Sequence, residues 1–251
     1  MLRRYGLPLL LLALAVLAWQ GVASLDSVDD LTLASPAETL SALVGESDLL
    51  LDNAWTTLVE AVLGLAIALA VGVAAAVAMH QAAWLRDAAY PLLIASQAVP
   101  IVVVAPLLIL AFDYGIGPKL AIVALICFFP IAVNLVDGLR SVEPDLRKLM
   151  RSMGASRRAT LWKVELPWSL PYLFSGLRIA ATVAVVGAVF GEWAGAEDGL
   201  GRLVLLGITQ LETPRVYAAV LILTAMSLAL FLLVSLVQRL AAPWTVNREV
   251  V

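Results

Sequence analysis

The chain has 251 residues, of which 62% are apolar and only 14% charged, with a mean hydropathy of +0.97 and a formal net charge of −3. This balance excludes an ordinary soluble domain and a strongly basic nucleic-acid binder. The single cysteine, Cys127, excludes a disulfide or a cysteine-based metal site within the chain.

A bilayer span needs about 20 apolar residues. Six such stretches are expected, at about 7–25, 54–79, 89–112, 118–136, 167–191 and 215–238. The remaining pieces, about 26–53 and 137–166, are too short for an independent domain, so one integral membrane domain over 1–251 is expected. The first stretch, with Arg3 and Arg4 before it and "GVAS" after Gln20, also fits a secretory signal. A retained helix is the preferred reading.

Lys and Arg are retained on the cytoplasmic side of a membrane. With the N-terminus inside, Arg86, Arg140, Arg147, Lys148, Arg151, Arg157, Arg158, Lys163 and Arg239 are all cytoplasmic. Lys119, Arg202 and Arg215 fall outside, and Arg178 falls within a span. This arrangement places 137–166 in the cytoplasm and the acidic segment 26–53 outside, with both termini cytoplasmic. His80, at the inner end of the second span, reads as an interfacial polar residue.

Gly64, Ala68, Gly72 and Ala76 repeat every four residues, as do Gly187, Gly191 and Gly195, a spacing that lets helix backbones approach closely. Pro91, Pro100 and Pro106 interrupt the third span and Pro130 the fourth, as suits kinked helices around a path. Polar groups within the spans are few, and such groups usually face protein. Gln97, one turn before Pro100, is the best candidate to face a ligand. Phe128 and Phe129 stack on a planar substrate in one reading and simply pack in another. Glu60 and Glu192 either line the path or reach the outer headgroups. The spans as read hold almost no buried positive charge.

Between the fourth and fifth spans lies "RSMGASRRATLWKVELPWSLP". Pro144 and Gly154 suit the start and stop of a helix over about 144–153. Ser156 then caps a short basic helix before Pro167 begins the return to the membrane. An amphipathic basic helix lying on anionic lipid would account for the composition. It would not account for the spacing.

That spacing, Gly154, nine residues, then Val164, any residue, Leu166 and Pro167, resembles the cytoplasmic signature loop of binding-protein-dependent ABC importer permeases. Lys148, Leu149 and Met150 stand where the family pattern has Glu-Ala-Ala. The resemblance runs from about residue 33 to 244, and "GEWAGAEDGLGRLV" is similar to the nitrate, sulfonate and taurine subgroup. "SQAVPIVVVAPLL" and "FFPIAVN" are similar to permeases for thiamine-precursor pyrimidines and riboflavin.

The resemblance implies an all-α type I importer permease fold with about six transmembrane helices. It also implies that Ala155 to Leu161 form a coupling helix that docks on a cytoplasmic ATPase. There Arg157 and Arg158 would give charged contacts and Ala155, Ala159 and Leu161 apolar ones. Two permease copies would pair with two ATPase subunits and receive substrate from an extracytoplasmic binding protein. The chain lacks a G-x-x-x-x-G-K-[ST] loop, so it is not expected to be an enzyme or to hold a cofactor. ATP and Mg are expected on the ATPase. The expected cargo is a vitamin or vitamin precursor, with sulfonate, taurine or nitrate as alternatives and an ion-coupled secondary transporter as a different class.

Overall fold

The computed structural model describes residues 2–25, 32–112 and 115–246, and all regular structure among them is helical. Two compact units divide the chain, Met1–Thr57 with Glu197–Thr224, and Leu58–Ala196 with Ala225–Val251.

The first unit contains α1 (Leu2–Ala23), α2 (Pro36–Gly45), the first turns of α3 (Ser47–Gln81), α10 (Leu200–Gln210) and the first turns of α11 (Thr213–Ala241). Helix α2 starts where Ser35 and Glu38 exchange side-chain and backbone hydrogen bonds in a capping box, followed by Pro36 in the first turn. The Ser35 amide and hydroxyl hold the Glu38 carboxyl below the usual carboxylate range. The Trp19 indole donates to the Ala34 carbonyl at 3.0 Å and stacks on Tyr217 with ring centroids 5.6 Å apart. At the start of α10 the Gly199 and Leu200 amides would lack intrahelical partners. Asn53 Oδ1 accepts from Gly199 at 2.7 Å and Thr57 Oγ1 from Leu200 at 2.9 Å, tying α10 to α3. Arg215 pairs with Glu46 and Glu212. Two acids of the 26–53 segment, Glu38 and Glu46, thus have structural partners; residues 26–31 lie outside the described residues.

The second unit holds the rest of α3 and α11 with α4 (Ala83–Ser96), α5 (Ile101–Phe112), α6 (Ile116–Arg140), α7 (Pro144–Ser152), α8 (Arg157–Thr160), α9 (Leu166–Gly195) and α12 (Pro243–Val246). Its centre is α6 between α3 and α9, drawn together by the small residues noted in the sequence. A Cβ on Gly64 would sit 2.4 Å from Val123 Cβ, and one on Gly72 2.9 Å from Ile131 Cγ2. From the other side, a Cβ on Gly176 would meet the Pro130 carbonyl oxygen at 2.3 Å, and one on Gly191 would meet Lys119 Cα at 3.2 Å. Glycine permits these close approaches; the fit is tightest at Gly64, Gly72 and Gly176, where the neighbouring atoms are helix backbone or β-branched side chains, and less tight at Gly191. Two polar side chains on α6 find carbonyl partners, one across the packing and one within the helix. The Cys127 thiol donates to the Ala180 carbonyl at 3.3 Å, and Asn134 Nδ2 donates to the Pro130 carbonyl at 2.7 Å.

Among the described residues, four continuous helical stretches are long and apolar enough to cross a membrane: Ser47–Gln81, Ile116–Arg140, Arg157–Gly195 and Thr213–Ala241. The expected third span is instead a pair, α4 and α5, bent by 105° at residues 97–100. Pro100 explains the break, since proline disfavours helical backbone in the residue before it and removes a donor. Helix α1, Leu2–Ala23, runs along most of the expected first stretch, and Leu10–Ala23 is its apolar part among the described residues.

Candidate functional site

The connection from α6 to α9 is built by local rules. Helix α7 opens with Pro144 in its first turn and Asp145 beside it, and closes with Arg151, matching charge to both ends of the helix dipole. It stops at Gly154, whose φ of +76° lies in the left-handed region. There the Gly154 amide donates to the Arg151 carbonyl and the Ala155 amide to the Met150 carbonyl, both at 3.0 Å. Ser156 Oγ then accepts from the Ala159 amide at 3.2 Å and starts α8. A single π turn, Leu161–Glu165, joins α8 to α9 without interrupting the helical path. Replacing Gly154 with valine is expected to lower the melting temperature by the equivalent of about 1–2 kcal/mol, with alanine costing less, as thermal denaturation in detergent will measure.

An ionic cluster anchors this connection. Glu165 Oε1 accepts from Arg147 Nε at 2.8 Å, and Glu165 Oε2 lies 3.0 Å from His80 Nε2. Arg147 Nη2 also donates to the Leu139 carbonyl at 2.7 Å. One carboxylate therefore joins the end of α3, the middle of α7 and the start of α9, and Arg147 adds the end of α6. Beneath it Leu161, 5% exposed, packs with Ala76, Met79, Leu135, Val136 and Leu139.

Around the cluster lies a cavity of about 590 Å³ lined by His80, Arg147, Arg151, Ala155, Arg157, Arg158, Leu161, Trp162 and Glu165. Gly154, Ser156, Arg157 and Arg158 are exposed, and Ala155 and Ala159 are half-buried. The expected Ala155–Leu161 helix is shorter, Arg157–Thr160, because Ser156 serves as its cap and the backbone widens at Leu161. Leu161 points into the core. The exposed apolar side chains here are instead Leu149, Met153 and Trp162. At the departure from the Glu-Ala-Ala pattern, Lys148 pairs with Asp145 at 2.9 Å, so its charge is partnered within α7.

The residues singled out within the spans are placed differently. Gln97 and Pro100 are exposed at the α4–α5 break, while Phe128 and Phe129 are half-buried on α6. Glu60 and Glu192 are 2% and 1% exposed, on α3 and α9, with Glu192 beside Glu60. Lys119 Nζ donates to Glu60 Oε1 at 2.6 Å and is 9% exposed. A buried cation is thus present, contrary to the sequence reading, and a carboxylate matches it. The Gly64, Gly187 and Gly191 approaches to α6 explain the burial, which proximity to a span end did not suggest. His80, Arg147 and Glu165 were missed as a unit because His80 and Glu165 lie 85 positions apart, beyond any helical or turn spacing.

Long apolar helices, a sharply bent pair and a capped basic turn define a multi-pass helical membrane protein with a built surface turn. Residues 66–247 match the binding-protein-dependent transport system inner membrane component, and the chain belongs to this family of ABC importer permeases. It is 36% identical to a probable ABC transporter permease of Haemophilus influenzae, over 89% of this chain and 91% of that one. It is 37% identical to the formylaminopyrimidine transport permease ThiX of Halalkalibacterium halodurans, over 72% and 73%. It is 36% identical to the riboflavin transport permease RibX of Chloroflexus aurantiacus, over 95% and 90%. In fold it matches a crystal structure of an amino acid ABC transporter with histidines, with a TM-score of 0.62 at 19% identity, covering 85% of this chain and 99% of that chain. The protein is a multi-pass inner-membrane permease subunit whose family implies an ATPase and a substrate-binding protein as partners. The secondary-transporter alternative gives way to this assignment.

Proposed function

We propose that the chain forms the translocation path for a small planar vitamin or vitamin precursor of the thiamine-pyrimidine or riboflavin kind. The observation that carries this reading is similarity to ThiX and RibX at 37% and 36% identity, against 29% to the taurine permease TauC of Escherichia coli. Lys119, the buried cation, does not call for an anionic cargo, since Glu60 already matches its charge. Two copies assemble with two ATPase subunits, with both termini and the α7–α8 turn in the cytoplasm. Gly154 and Ser156 shape the turn, Ala155, Arg157, Arg158 and Ala159 meet the ATPase, and Leu161 fixes the turn to the core. ATP-driven closure of the ATPases moves this turn, and the Glu165 cluster passes the movement to α3, α6 and α9. Gln97, Pro100, Phe128, Phe129 and Glu192 are carried as path residues, with the α4–α5 break as the element that bends.

Deletion of this gene in its host, followed by growth on limiting precursor pyrimidine or riboflavin and on sulfonates, tests the cargo. Loss of vitamin salvage with normal sulfonate use is expected. Impaired sulfonate use with unchanged vitamin salvage would overturn the reading.

A further inference from the structure

The cavity beside the coupling turn has an unbalanced charge. Four of its lining residues are arginines, and Glu165 is the only carboxylate among them. That carboxylate is already engaged by Arg147 and His80. Among the described residues, Arg151, Arg157 and Arg158 form no ion pair. In free protein they are exposed and hydrated. A partner that covers them removes that water, and a guanidinium covered without an anion is strongly unfavourable.

We propose that the ATPase subunit places acidic side chains in this cavity, where carboxylates pair with Arg151, Arg157 and Arg158. The proposal rests on the coupling reading above and adds the sign and chemistry of the partner's surface. A guanidinium offers a planar fork that matches a carboxylate with two parallel hydrogen bonds. The cavity, about 590 Å³, has room for more than one such side chain. Trp162, 62% exposed beside the arginines, supplies the large apolar surface that interface centres favour together with arginine. Arg147, also on the lining, already has Glu165 as its carboxylate, and Lys148, which pairs with Asp145, is not on the lining.

The test uses the full complex purified from membranes. Arg158→Lys puts a primary amine at the cavity, and a carbodiimide then joins that amine to any carboxylate in direct contact. The expected result is a cross-linked peptide containing Asp or Glu of the ATPase. Arg151→Glu combined with Arg158→Glu is expected to weaken ATPase binding at least tenfold and flatten its salt dependence, while Arg151→Lys with Arg158→Lys retains most of the affinity. Both sites are exposed, and a monodisperse elution profile checks that the variants fold. If the ATPase co-purifies but gives no such cross-link and binds the charge-reversed variant normally, the proposal is overturned while the coupling reading stands. A charge reversal that strips bound anionic phospholipid and leaves ATPase binding unchanged overturns it in favour of a lipid headgroup. A wild-type preparation without ATPase overturns both.

Discussion

Replacing Glu165 with glutamine is expected to lower the melting temperature of the detergent-solubilised protein by the equivalent of about 2–3 kcal/mol. The amide keeps the shape of the carboxylate and removes the charge that holds Arg147 at 2.8 Å and faces His80 at 3.0 Å. Breaking a fully buried pair from one side costs about 3–5 kcal/mol; a lower figure is expected here because the Arg147 side chain is 27% exposed and retains the Leu139 carbonyl. The same substitution is expected to uncouple the transporter, leaving ATP hydrolysis in the reconstituted complex while uptake falls at least several-fold. Arg147→Lys keeps the charge and is expected to fall between wild type and Glu165→Gln in both measurements. Unchanged melting and uptake in Glu165→Gln would remove the cluster from both the stability and the transmission of the turn.

The second large effect is expected at Gly176. An added methyl there would stand 2.3 Å from the Pro130 carbonyl oxygen, an α6 backbone atom that cannot turn aside. Overpacking of this kind costs about 1–3 kcal/mol, more than the roughly 1 kcal/mol that alanine gains over glycine in a helix. Gly176→Ala is therefore expected to lower the melting temperature. Gly117→Ala, on α6 with nothing within 4 Å of its new methyl, is expected to leave it unchanged or raise it. Equal melting temperatures for the two variants would mean that the α6–α9 approach is looser than the structure has it.

The turn was legible because each of its parts is set by near neighbours. Pro144, Gly154 and Ser156 act through a helix start, a left-handed stop and a cap, each on backbone groups only a few residues away. The small-residue stripes were legible for a related reason, since their spacing belongs to one helix face. What the stripes approach was not legible, and neither were its consequences. Only the packing of α3 and α9 on α6 reveals that Lys119 and Glu60 meet away from water, and that Glu165 collects His80 and Arg147. The inward turn of Leu161 onto the core was not legible, because an apolar residue in a basic loop carries no sign of which way it points. The 105° bend was half-visible: Pro91, Pro100 and Pro106 announced a disturbed span, and the structure concentrates the turn at residues 97–100.

The most direct test of the whole account is purification of a tagged copy from its native membrane in mild detergent, under nucleotide-trapping conditions, with mass spectrometry of what accompanies it. A stoichiometric ATP-binding subunit is expected. Recovery of the chain alone, in repeated preparations and with nucleotide trapped, would contradict its role as a coupled importer permease.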